Sequence, residues 1–225
     1  MNWESFVNIE SLTNDRESLI VVYGTQLQAN LLPLPEILSS EELAYSEKLM
    51  GNGQKKTWLS CRATLKLILG AYLNKKPSEI EFRKGRYGKL SLPGTTMFFN
   101  VSHSNDAFLI GISIKGRIGI DIELLNGSED LHSMVNYAFS EVEAQFCNFG
   151  ENHEQFAEIW TLKEAFLKAV GVGMVDNLKS VNVTGVFKND ILRYKLNQKT
   201  FCCPNKETGS IVFEANRPLK FIYLT

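Results

Sequence analysis

Two carboxylates spaced two positions apart are the first residues in this chain with chemistry to do. In Ile118-Gly119-Ile120-Asp121-Ile122-Glu123, isoleucines alternate with Gly119, Asp121 and Glu123, the period of a strand with one apolar face. Asp121 and Glu123 then point the same way, roughly 6 to 7 Å apart, close enough to share a divalent cation. Further on, Trp160-Thr161-Leu162-Lys163-Glu164-Ala165-Phe166-Leu167-Lys168 has helical periodicity, with Glu164 and Lys168 one turn apart on a common face. Three carboxylates and an ammonium, from a strand and a helix, suit magnesium and a phosphate. Each run also has a plainer reading: the wet face of a half-buried sheet, and a solvated helix ion pair.

The elements that must position these residues are legible around them. Ser18–Gly24 reads as a buried strand. Ser39 with Glu42 has capping-box spacing for a short helix toward Leu49, and Gly51-Asn52-Gly53 ends it. From Lys55 to Leu73 the pattern is helical, with Trp58, Arg62 and Lys66 on one stripe, a basic face. A short strand is expected at Ser78–Phe82. The turn Lys84-Gly85-Arg86-Tyr87-Gly88-Lys89 then offers backbone N–H groups and three cations to a phosphate, or else is a solvated hairpin tip. Met97–Ile114 reads as two strands around a turn at His103-Ser104-Asn105-Asp106.

The order then repeats. Ser140 with Glu143 is a second capping box, Gly150 breaks the chain, and a long amphipathic helix runs from about Glu154 to Val170. Trp160, Glu164 and Lys168 each follow Trp58, Arg62 and Lys66 by 102 positions, and Ser140 follows Ser39 by 101. The spacing predicts an internal duplication: an α+β chain of two similar, pseudo-twofold lobes, 1–114 and 115–225, each a long helix on a small antiparallel sheet, with the site in the cleft between them, where one helix brings Arg62 and Lys66 and the other Glu164 and Lys168. Segments at Leu178–Phe187, Ile191–Leu196, Ile211–Ala215 and Leu219–Leu224 are expected to complete the second lobe's sheet.

Composition narrows the function classes. Of 225 residues, 44% are hydrophobic and 11% aromatic, enough for a substantial core. Twenty-four basic against 25 acidic residues leave a formal charge of −1, which argues against a general binder of nucleic acid or anionic membrane. Cys61, Cys147, Cys202 and Cys203 form no C-x-x-C and no His-paired spacing, as expected of reduced thiols. No basic-then-apolar leader opens the chain, and no apolar run approaches the roughly 20 residues that span a bilayer. A soluble, cytoplasmic monomer is expected.

The two chemical runs, taken together, resemble the paired signature of the 4'-phosphopantetheinyl transferase superfamily, (I/V)-G-(I/V)-D followed by (F/W)-(S/C/T)-x-K-E-(A/S)-x-x-K. Phe98-Phe99-Asn100-Val101-Ser102-His103-Ser104 is similar to its F-N-(I/V)-S-H-S element, Tyr87-Gly88-Lys89 to its Y-G-K-P loop, and Arg62 lies in a G-R-x-x-L-like helix. Leu90 stands where the loop usually has proline, and Cys61 where glycine is common. The duplicated length resembles the surfactin-synthetase-activator class rather than the shorter trimeric acyl-carrier-protein synthases.

The resemblance implies transfer of 4'-phosphopantetheine from coenzyme A to a serine of an acyl or peptidyl carrier protein. It implies Mg²⁺, or Mn²⁺, held by Asp121, Glu123 and Glu164, with Glu143 reached through a water. Glu164 is ligand, base for the serine proton, or both; Lys168 stabilises the leaving group, and Asp121 belongs with them in the catalytic set. Arg62, Lys84, Arg86, Lys89, Asn100, Ser102, His103 and Lys168 are implied to hold coenzyme A, although His103 alone would read as a turn histidine. Two other classes stay open: a coenzyme A-binding protein without transfer, and a magnesium-dependent phosphohydrolase.

Overall fold

In the computed structural model, residues 3–5, 9–125, 130–173, 177–183, 195–214 and 217–224 are described. The strands are β1 (Glu4–Ser5), β2 (Leu19–Thr25), β3 (Arg83–Lys84), β4 (Leu90–Ser91), β5 (Phe98–Ser104), β6 (Ala107–Ser113), β7 (Ile118–Glu123), β8 (Asn197–Cys202), β9 (Thr208–Phe213) and β10 (Leu219–Tyr223). The helices are α1 (Ile9–Asn14), α2 (Leu34–Ile37), α3 (Ser40–Ser46), α4 (Asn52–Leu73), α5 (Leu131–Ala138), α6 (Glu141–Phe146) and α7 (His153–Val170). The chain is α+β. Strand order is β1-β10-β2-β6-β5 in one sheet and β7-β9-β8 in another, with β3 and β4 forming a separate hairpin.

Layering explains the apolar patterns. Ile20, Val22, Ile110 and Ile112 bury one face of the first sheet against Leu65, Ile68 and Leu69 of α4. Leu19, Val21, Tyr23 and Leu109 bury the other face against Ile118, Ile120, Ile122 and Ile211 of the second sheet. Strand β2 is therefore covered on both sides, which is why its sequence is a continuous apolar run rather than an alternation. Across the second sheet, Val212 meets Phe156, Ile159, Leu162 and Phe166 of α7. The order of layers is helix, sheet, sheet, helix.

Both capping boxes form: Ser39 and Glu42 at α3, Ser140 and Glu143 at α6. Three expected strands differ. Leu219–Tyr223 does not join the second sheet; it pairs parallel with β2, with Phe221 opposite Val21, and lies between β1 and β2. Phe221 faces the core between the sheets while Ile222 faces α4, so this strand needs cover on both faces, which its place in the first sheet supplies. Residues 78–82 form no strand, because Pro77 starts a 3-10 turn, Pro77–Glu79, where its missing N–H costs nothing. Leu178–Ser180 is likewise a 3-10 turn. Residues 181–183 form no strand either, and 184–187 with most of 191–196 lie outside the described residues. All four cysteines are free thiols.

Candidate active site

Strand β7 meets α7 through the face that bears its carboxylates. Ile118, Ile120 and Ile122 are fully buried between the sheets, so Gly119, Asp121 and Glu123 are turned to the helix. Gly119 is required there: a Cβ at that position would stand 2.0 Å from the Ala165 carbonyl oxygen and 2.3 Å from the Ala169 nitrogen. The close approach lets Lys168 Nζ reach Asp121 Oδ1 at 2.6 Å. Ser102 donates to the same oxygen at 2.6 Å and accepts from Lys168 at 3.0 Å, closing a three-membered network.

Strand β5 is stitched to β7 by side chains at alternate positions. Asn100 Oδ1 accepts from the Ile120 N–H at 2.9 Å, Ser102 serves Asp121, and Ser104 donates to Glu123 at 3.0 Å while accepting from the Leu124 N–H. Asn100 and Ser102, expected as coenzyme A contacts, thus spend these groups holding the carboxylate strand in place. His103 alternates outward and is exposed. Partial burial, then the nearby Lys168 charge, lowers its affinity for a proton.

Two of the carboxylates, Glu123 and Glu164, hold a proton more tightly than usual. Burial and then the charge of Asp121 push Glu123 up to about 6, against the Ser104 hydrogen bond and Lys168. Glu164 is raised by the same two causes in the same order. Asp121 is 3% exposed, and its Oδ2 is buried with no hydrogen-bond partner. An orphaned carboxylate oxygen beside two like-charged neighbours is the donor chemistry a hard dication satisfies, so the residues fit Mg²⁺ or Mn²⁺. As they stand, no three ligating side chains among the described residues are gathered tightly enough to enclose an ion, and the Lys168 ammonium supplies the positive charge.

A cavity of about 580 Å³ opens beside this network. Glu164, Leu167 and Lys168 of α7 form one wall; Trp58 and Arg62 of α4, with Glu41, Glu42 and Tyr45 of α3, form another. Lys84, Tyr87, Gly88 and Lys89 of the hairpin complete it. Of the expected ligand residues, Arg62, Lys84, Lys89, Asn100 and Lys168 line the cavity; Arg86, Ser102 and His103 are not part of its lining. Arg86 is exposed and lies over its neighbour Tyr87. The Arg62 guanidinium is stacked on Trp58 and Phe82, at 5.2 and 4.7 Å, and lies 3.7 Å from Glu42. The aromatic and acidic residues of α3 were missed by the sequence, which offered only the capping box there.

Two expectations are corrected. Lys66 does not face the cavity: it is 2% exposed and pairs with Glu42 at 2.9 Å. Glu143 does not reach toward the Asp121 cluster; it is 1% exposed and committed to Lys163 at 2.8 Å, to Ser140, and to the Val183 N–H. Lys163, one position before Glu164, also donates to the carbonyls of Leu178 and Val181. A helical step of about 100° turns it into the core and away from the cavity.

Residues 117–216 match the family model described as the 4'-phosphopantetheinyl transferase superfamily. The 4'-phosphopantetheinyl transferase HetI of Nostoc sp. is 30% identical over 171 residues, 73% of this chain and 72% of its own length. The chain belongs to the 4'-phosphopantetheinyl transferase superfamily. The transferase AcpT of Escherichia coli O157:H7 is also 30% identical, over 73% of this chain and 78% of its own. A Synechocystis sp. protein, assigned provisionally to the same transferases by its name, is 33% identical over 151 residues. That alignment spans 64% of this chain and 61% of the relative. The superfamily match covers β7, α7 and the Asp121–Lys168 pair between them, while Ser102 of β5 lies outside it.

Proposed function

We propose that this protein transfers the 4'-phosphopantetheine group of coenzyme A to a serine hydroxyl of an apo acyl or peptidyl carrier protein, releasing adenosine 3',5'-bisphosphate. In this reading the serine oxygen forms a bond to the β-phosphorus of coenzyme A as the bond from that phosphorus to the bridging oxygen breaks. The observation that carries it is the convergence of Glu164 and Lys168 at one wall of a cavity large enough for a nucleotide, with buried Asp121 paired to Lys168 behind that wall and Arg62 on another. Lys168 is held where an ammonium can offset charge growing on the departing bisphosphate, and such neutralisation is the main route to catalysis of phosphoryl transfer. Glu164, whose proton affinity is raised, is suited to take the serine proton, directly or as part of a cation site. Mg²⁺ or Mn²⁺, when bound by Asp121, Glu123 and Glu164, supplies charge neutralisation on the pyrophosphate.

We also read the two halves, 1–114 and 115–225, as copies of one unit, with 219–223 lent to the first sheet. The paired capping boxes, Ser39 with Glu42 and Ser140 with Glu143, support that reading. The protein is proposed to act as a cytoplasmic monomer. No described helix is long and apolar enough to cross a membrane.

Mass spectrometry of an apo carrier protein incubated with this chain, coenzyme A and Mg²⁺ tests the proposal. Addition of phosphopantetheine to the carrier serine is expected. Release of free phosphopantetheine instead would turn the reading to a phosphohydrolase, and binding without either product to a coenzyme A-binding protein.

A further inference from the structure

Lys89 lines the cavity, yet its ammonium is spent elsewhere. Nζ donates to the carbonyl oxygens of Ile118, Lys168 and Ala169, with 3.2 Å separations from the first and last. An ammonium has three N–H donors, and three acceptors use them all. The acceptors are a particular set. The last four carbonyls of a helix have no partner within it, and in α7 these are Leu167, Lys168, Ala169 and Val170. Gly171, in the left-handed conformation at φ 81°, takes the Leu167 carbonyl through its own N–H at 2.7 Å. Lys89 takes the next two, and its stem passes Gly171 so closely that a Cβ there would lie 3.5 Å from Lys89 Cδ. A cation at this end also complements the negative pole of the helix.

The third acceptor joins this cap to the carboxylate strand. Ile118 begins β7, three residues before Asp121, while Lys168 presents its side chain to Asp121 and its carbonyl to Lys89. We infer that Lys89 is a positioning residue that clamps the start of β7 to the last turn of α7, fixing Lys168 against Asp121, and that it is not a ligand of the substrate's phosphates. Burial, reinforced by the charge of Arg117, pulls the Lys89 ammonium down to about 8, as expected for a cation held by carbonyls away from solvent.

The inference rests, for its kinetic consequence, on the transferase reading; its structural consequence does not. Lys89→Met keeps the stem and removes the cation. Hydrogen exchange at the amides of residues 168–171 is expected to accelerate about tenfold, the scale of one charge-assisted hydrogen bond, with α4 unchanged. In the carrier-loading assay kcat should fall about tenfold, while the affinity ratio between coenzyme A and 3'-dephospho-coenzyme A, measured by calorimetry, stays at the wild-type value. Lys89→Gln, which retains two N–H donors, should give intermediate exchange and is read in the same way if Lys89→Met fails to fold. Unchanged exchange in α7 overturns the clamp. So does loss of discrimination between the two ligands at unchanged kcat, which would make Lys89 a phosphate ligand, and so does a uniform rise in exchange across the protein in both variants. Local acceleration in α7 with no carrier loading by the wild type would leave the clamp standing and remove the transferase reading.

Discussion

Lys168 Nζ lies 2.6 Å from Asp121 Oδ1, joining α7 to β7 by an ion pair whose carboxylate is 4% exposed and whose ammonium is 29% exposed. The burial of Asp121 changes what its removal should do. Read as a strand-end carboxylate, it would be dispensable for folding; here Ser102 and Lys168 both depend on it. Asp121→Ala should abolish transfer and lower stability by about 2 kcal/mol, the scale of charged hydrogen bonds lost from a buried site. Asp121→Asn, which keeps an acceptor of the same shape, should recover part of that stability and none of the activity. Thermal melts beside carrier loading decide it, and substantial loading by either variant would remove Asp121 from the chemistry.

Glu123 predicts a pH dependence in the absence of a divalent cation. Its folded-state pKa of about 6 lies above the ordinary 4.5, so the folded state binds the proton more tightly than the unfolded chain. The contribution of this group is therefore most favourable below about pH 4.5, declines between there and about 6, and is level above. A bound dication competes with that proton. Mg²⁺ should raise the melting temperature more at a pH about one unit above 6 than about one unit below it. Equal shifts at both, or no change in the pattern in Glu123→Gln, would count against Glu123 as a ligand.

Glu143 and Lys163 form the most buried ion pair described, both side chains at 1–2% exposure. Removing one partner leaves the other charge stranded, so Glu143→Gln should cost about 3 to 5 kcal/mol in chemical denaturation. The Mg²⁺ concentration dependence of any residual activity should match the wild type. A shifted Mg²⁺ requirement in a folded Glu143→Gln protein would restore this residue to the metal site.

What could be read from the sequence divides along physical lines. Alternation in IGIDIE gave the facing of β7 correctly, because a strand's period of two admits only two faces, and Gly119 marks the helix approach from the same six residues. Helical spacing put Trp58, Arg62 and Lys66 on one stripe, but spacing fixes direction and not depth, and Lys66 ends in the core on Glu42. The role of Lys89 was illegible for a different reason. Its acceptors lie 29, 79 and 80 positions away and are backbone carbonyls, which carry no side-chain signature. The placement of β10 failed similarly, since strand propensity does not say which sheet a strand will join.

His103, an expected coenzyme A ligand, lies outside the cavity lining with its imidazole exposed. His103→Ala should weaken coenzyme A about tenfold more than 3'-dephospho-coenzyme A, as the loss of one contact to a phosphate would. Calorimetry with both ligands measures it. Equal losses would place His103 on another part of the molecule.

A carrier protein, as the proposed substrate, would need an apolar surface to dock on, and the segment after β7 supplies exposed aromatics on the consecutive helices α5 and α6. Helical spacing alone would turn Val135, Phe139 and Phe146 inward and leave Met134 and Tyr137 as anchors. Val135 and Phe139 are buried, but Phe146 is 46% exposed, Tyr137 is 59% exposed, and Met134 packs against the core beneath α7. The anchor roles therefore pass to Tyr137 and Phe146. Large exposed aromatics at a transient contact contribute most when desolvated by a partner, and contribute little to the free protein's stability. Tyr137→Glu and Phe146→Glu should each raise KM for the carrier by about tenfold, the scale of a modest hot spot, with coenzyme A binding and the melting temperature unchanged. Met134→Glu should instead lower the melting temperature, because it places a charge against a buried cluster. Unaltered carrier kinetics in both aromatic variants would move the docking surface off α5 and α6.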